Sequence, residues 1–125
     1  MSDILRYPEK AKPDALSSDV TVAGGLAFVT SIPTDSAGQL AGETIEQQSV
    51  AVIENLRTDL ERCGSALDRI AHLTIYLTDI ENQRAGFNEI YRTYFNDALP
   101  VRCAVGVARL ARPGMHVELT AVAAV

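Results

Sequence analysis

Two stretches of the chain repeat apolar residues at helical spacing, and each is apolar on one side only. In the first, Ile45, Val52, Ile53, Leu56 and Leu60 share a face, with Ser49 filling a gap in the row. In the second, Phe87, Ile90, Tyr91, Tyr94 and Phe95 fall at i, i+3, i+4, i+7 and i+8. Strand-like runs flank both. If both one-sided helices cover the same face of a sheet, the other face must meet water or a second subunit.

The strand-like runs can be placed in order. DVTVAGGLAFVT, residues 19–30, reads as two short strands around the Gly24-Gly25 turn. The polar, turn-rich IPTDSAGQLAG that follows is a loop. The first helix is expected to start near Glu43 and to stop at Gly64. RIAHLTIYLTD, residues 69–79, is rich in β-branched and aromatic residues and reads as a strand. Thr78 and Glu81 have the spacing of a capping box for the second helix. Pro100 breaks the chain before a further strand in LPVRCAVGVARL, and MHVELTAVAAV supplies the last one. The predicted order is β-β-α-β-α-β-β, an α+β fold with two helices on one face of a mixed sheet. Ala and Val dominate both faces of the last two strands, which favours a homo-oligomer.

The chain has 125 residues, enough for one domain with a real core, and residues 1–125 are read as that single domain. Its 47% hydrophobic and 22% charged residues are an ordinary globular composition. A formal net charge of −5 opposes non-specific binding to nucleic acid. The two cysteines, Cys63 and Cys103, show no zinc spacing. MSDILRYPEKAK lacks the apolar core of a signal peptide, and no apolar run approaches a membrane span. The expectation is a cytoplasmic protein with free thiols and no membrane contact.

Arg102 interrupts the apolar run of LPVRCAVGVARL, although arginine is among the residues least often fully buried. Strand alternation puts Val101, Cys103, Val105 and Val107 on one face, and Arg102, Ala104, Gly106 and Ala108 on the other. The bulky set suits the helices. The small set leaves room beside Arg102 for its own stem or for a ligand. If this strand pairs antiparallel with the last one through the Pro113-Gly114 turn, Glu118 can share the Arg102 face. Two readings stay open. One is a cross-strand Arg102–Glu118 pair that only fixes register, which spacing alone favours. The other is a carboxylate receptor, because a guanidinium matches a carboxylate bidentately and keeps its charge when desolvated. Glu118 would then orient a water. The other candidates are weaker: His72 reads as a packed strand residue, and His116 has no evident nucleophile to serve. Cys103 points to the presumed core, and Cys63 lies at the negative end of a helix dipole.

Pro100-Val101-Arg102-Cys103, then Val105, Ala108 and Leu110, then Val117-Glu118-Leu119, resemble the C-terminal signature of the RidA/YjgF/UK114 family of reactive intermediate deaminases. Residues 26–31, LAFVTS, resemble that family's second strand, and residues 47–64 and 87–91 align by type and order. The resemblance covers nearly the whole chain. It implies a chorismate-mutase-like fold assembled as a homotrimer, with active sites in the clefts between subunits. It implies that Arg102 holds a substrate carboxylate, that Glu118 is associated with the attacking water, and that Asn88 is a further substrate-binding position. Ser31 and Ala104 stand where relatives line the pocket. The reaction implied is hydrolysis of a small 2-imino acid, such as the tautomer of 2-aminoacrylate, to a 2-keto acid and ammonia, without metal or organic cofactor. The alternative from another class is a non-catalytic trimeric module that binds small carboxylates or regulates a partner. Three departures mark a divergent member, the first being that the family's aromatic residue before the first hairpin is replaced near Ser17-Ser18. Ser31 runs directly into Ile32-Pro33 without the family's Gly-Gln, and Ala104 replaces a common pocket cysteine.

Overall fold

In the computed structural model, which describes residues 3–125, Met1 and Ser2 lie outside the described residues. The elements are β1 (Leu5–Tyr7), β2 (Val20–Ala23), β3 (Leu26–Ser31), α1 (Ile45–Arg62), β4 (Ile70–Leu77), α2 (Ile80–Tyr94), β5 (Val101–Gly106) and β6 (Val117–Ala124). Helix α1 begins with a full capping box. The Thr44 hydroxyl accepts from the Gln47 N–H at 3.1 Å, and Gln47 Oε1 accepts from the Thr44 N–H at 3.2 Å. It ends before Gly64, whose φ of 85° suits a residue without Cβ. Helix α2 starts differently from the Thr78/Glu81 box expected. Asp79 is its N-cap, and Gln83 reaches back to accept from the Asp79 N–H at 2.8 Å and donate to the Thr78 hydroxyl at 3.0 Å. Because the helix begins one residue later, Glu81 falls at N2, out of phase for a box.

The six strands form one sheet in the order β1-β2-β3-β6-β4-β5. Every neighbouring pair is antiparallel except β4 and β5. Both helices cover one face, as expected. Val52, Ile53, Leu56 and Leu60 of α1 and Phe87 and Tyr91 of α2 are buried with Leu73, Ile75, Leu77, Val117, Leu119 and Ala121 of the sheet. Full burial of each such Leu or Ile contributes about 2 kcal/mol. Strand β1 had no signal in the sequence, because three residues are too few to show alternation.

The pairing of β5 corrects two expectations. First, β5 does not form a hairpin with β6. It runs parallel to β4 at the edge of the sheet, and β4 separates it from β6. The chain between β4 and β5 is helix α2, and a crossover through a helix returns a strand parallel to its predecessor. Pro113-Gly114 does make a turn, with the Met115 N–H bonded to the Arg112 carbonyl at 3.2 Å, but within a long connection. Second, the faces of β5 are exchanged. Arg102 pairs with Leu73, and Leu73 pairs with Ala121, both buried under the helices. Arg102, Ala104 and Gly106 therefore face α2. Their small neighbours make room for the helix rather than a ligand, since a Cβ on Gly106 would meet Ile80 Cγ2 at 3.1 Å. Val101, 69% exposed, Cys103 and Val105 lie on the open face, so Cys103 is exposed rather than core. Cys63 is the buried cysteine.

The open face is apolar in patches. Phe28, Leu26, Val101 and Val105 remain substantially exposed there, between Thr30, Thr74 and Thr120.

Candidate functional site

Helix α2 carries Asn88 and Tyr91 three residues apart, so both project toward β5. Beneath them the half-buried Arg102 donates from NH2 to Asn88 Oδ1 at 2.7 Å. Its guanidinium carbon lies 4.5 Å from the centroid of the Tyr91 ring and 6.0 Å from that of Phe87. Tyr91 in turn stacks on Phe95, with centroids 4.3 Å apart and planes at 12°. Burial raises the Tyr91 phenol above its ordinary pKa, and the Arg102 charge opposes that shift. The cation is thus held by a neutral amide and an aromatic face. Among the described residues no carboxylate lies within ion-pair distance of it. A guanidinium has five N–H donors, and one bond to Asn88 leaves most of them free.

Arg102, Asn88, Tyr91, Arg92, Phe95 and Asn96 border a cleft of about 520 Å³, open to solvent at the sheet edge. That volume is in the range of small-molecule sites. The arrangement can hold a small organic anion: a charged fork oriented by Asn88, on an aromatic floor, in partly dry surroundings.

Glu118 is elsewhere. It pairs with Tyr76 of β4, on the open face of the sheet, opposite to Arg102. The expected sharing of a face within one chain, and with it the register-fixing ion pair, is absent because β4 intervenes. Among the described residues no charged partner holds the Glu118 carboxyl; burial raises its pKa above the ordinary value. Ser31 is also apart from Arg102. Its buried hydroxyl donates to the Val52 carbonyl at 2.8 Å, tying β3 to α1. Beyond Val20 the β3 strand loses its β2 partner, and there Ser31 borders a hollow of about 800 Å³ with Ser17, Ser18, Thr30, Asn55 and Asp59. Ala104 follows Arg102 on the helix face and packs against the core. One chain therefore brings together Arg102 and Asn88, with Ala104 beside them, and holds Ser31 and Glu118 apart.

His72 is exposed on β4, and His116 Nε2 lies 2.7 Å from the Glu43 carbonyl oxygen, holding a loop. Tyr91 and Arg92 were not anticipated at the site. The i, i+3 and i, i+4 spacings from Asn88 were the available signal, hidden for Tyr91 by its place in the apolar stripe.

A family model described as Endoribonuclease L-PSP matches residues 9–125. The chain belongs to that family, the RidA/YjgF proteins. A RutC family protein of Pyrococcus abyssi is 37% identical to it over 126 residues, covering 98% of each chain. The 2-iminobutanoate/2-iminopropanoate deaminase of Mus musculus is 36% identical over 88 residues, 70% of this chain and 64% of its own. The solved structure of a Rid family protein from Yersinia pestis superimposes with a TM-score of 0.82 at 30% identity, covering 94% of this chain and 92% of its own. The RidA/YjgF fold is therefore that of the sheet and helix pair described above. No helix among the described residues is long and apolar enough to cross a membrane.

Proposed function

We propose that this RidA/YjgF protein hydrolyses small 2-imino acids to 2-keto acids and ammonia. The observation that carries the reading is Arg102: a half-buried guanidinium at a cleft, oriented by Asn88 and Tyr91 and unpaired with any carboxylate among the described residues. The name of the mouse relative supports the substrate class. Arg102 takes the substrate carboxylate in a charge-assisted pair, which sets the adjacent C2=N bond. A water oxygen then bonds to C2, the C2–N bond breaks, and nitrogen leaves as ammonia with both protons of that water. An imine is already electrophilic, so orientation and one placed water supply much of the rate.

Glu118 is the group assigned to the water. Its raised pKa brings the carboxyl closer to a working proton acceptor than an ordinary glutamate. Since it lies on the sheet face opposite to Arg102, the two meet only if Glu118 comes from a neighbouring copy. A homotrimer with sites between its subunits meets that need, and the exposed Phe28, Val101 and Val105 of the open face support it. Nuclease activity is not part of this reading, because a net charge of −5 opposes attraction to a phosphate backbone.

The separation of Arg102 from Glu118 also favours a second reading, a module that binds small carboxylates without turning them over. One experiment separates the two. Imino acids are generated in situ with an amino-acid oxidase, and their loss is followed with the parent protein, Arg102→Ala and Glu118→Gln. The deaminase reading expects both variants to be slow, with Glu118→Gln still binding 2-keto acids. A parent protein no faster than buffer leaves only the binding reading. A stable monomer in a solution mass measurement would contradict the site between copies.

A further inference from the structure

We propose that the Arg102 cleft selects ligands carrying a second carboxylate, a 2-imino or 2-keto dicarboxylate of four or five carbons, and that Arg92 reads the distal group. The inference rests on the carboxylate-binding role assigned to Arg102, but not on catalysis. Arg92 follows Asn88 by four residues on α2, so the two stand on one side of the helix, about 6 Å apart along its axis. Asn88 is bonded to Arg102, and Arg92 borders the same cleft. Two guanidinium groups thus face one cavity, and among the described residues no acidic one lines it. This is notable in a chain with a net charge of −5.

Arg92 is exposed and makes no hydrogen bond or ion pair among the described residues; Glu89, one turn before it, does not engage it. Other arginines of the chain are committed: Arg57 to Glu54, Arg62 to Asp19 and Asp59, and Arg112 to the Gly38 carbonyl. The Tyr91–Phe95 stack borders the same cleft as the two cations, an apolar floor for a short carbon chain. Asn96, just past the end of α2, borders the same cleft and adds a neutral donor. A monocarboxylate would engage only Arg102. A dicarboxylate of the right length engages both cations and covers the aromatic floor of the cleft.

The test is a calorimetric titration of the assembled protein with 2-oxoglutarate and with 2-oxopentanoate, which has the same chain length and one carboxylate fewer. The expected result is at least about tenfold tighter binding of 2-oxoglutarate, about 1.4 kcal/mol. Arg92→Gln should bring 2-oxoglutarate down to the level of 2-oxopentanoate, and Arg92→Lys should keep part of the difference. Arg84→Gln, which removes the same charge from α2 outside the cleft, should leave the ratio intact. Equal binding of the two ligands by the parent, a ratio unchanged in Arg92→Gln, or binding of neither ligand overturns the proposal. Imine hydrolysis measured alongside keeps it distinct from the proposed function. A dicarboxylate preference without turnover sinks the deaminase reading alone, and turnover with no preference sinks this one alone.

Discussion

Asn88 Oδ1 accepts a hydrogen bond from the Arg102 guanidinium at 2.7 Å, and that neutral acceptor keeps the cation available. A carboxylate in the same place would satisfy Arg102 internally. Asn88→Asp should therefore weaken 2-oxobutanoate binding by about tenfold or more, a loss of about 1.4 kcal/mol. Asn88→Ala, which frees the guanidinium but loosens it, should lose less. Titration calorimetry of the two variants gives the comparison, and equal losses would mean that Asn88 only holds the arginine still.

Tyr91 is the platform on which Arg102 rests and the partner of Phe95. Tyr91→Leu removes a cation–π contact and an aromatic pair, each worth about 1 kcal/mol. A stability loss of about 2 kcal/mol is expected by urea denaturation, together with weaker keto-acid binding. Tyr91→Phe keeps the ring and should stay within about 0.5 kcal/mol of the parent.

The Glu118 carboxyl has a raised pKa because of burial. The folded state thus holds this proton more tightly than the unfolded chain does. Stability linked to the group is fully present below its ordinary value of about 4.5 and is lost as pH rises through the raised value. Glu118→Gln should have the higher urea midpoint near neutral pH, and the advantage should vanish in acid below that ordinary value. An advantage that persists in acid would assign the effect to packing instead of charge.

Gln48 is fully buried in α1 and ties three loop groups together. Its amide donates to the Gly42 and Gly114 carbonyls at 3.1 and 2.8 Å and accepts from the His116 N–H at 2.7 Å. Gln48→Leu strands all three, and a destabilisation of about 3 kcal/mol is expected from unpaired buried groups. Thermal and urea unfolding would measure it. Loss of hydrogen-exchange protection at the His116 amide would locate it.

Most of the element order was legible in residues taken alone. The stripes 45–60 and 87–95 place the two helices because helical period depends only on local spacing, and Gly64 and Gly24-Gly25 mark stops and turns through backbone preferences that need no partner. The capacity of Arg102 to hold a carboxylate follows from its chemistry, and its resemblance-implied neighbour Asn88 proved to touch it. Which face Arg102 takes, and which strand lies beside it, did not follow from local spacing. Alternation separates two faces but does not say which one the helices cover. Here α2 decided it, by crossing over to lay β5 parallel to β4 and turning Arg102 inward. The same pairing carried Glu118 to the opposite face with Tyr76. Local sequence determines periodicity because it acts through neighbouring residues along the chain. Strand order and facing depend on burial summed over distant elements, and only the folded chain resolves that sum.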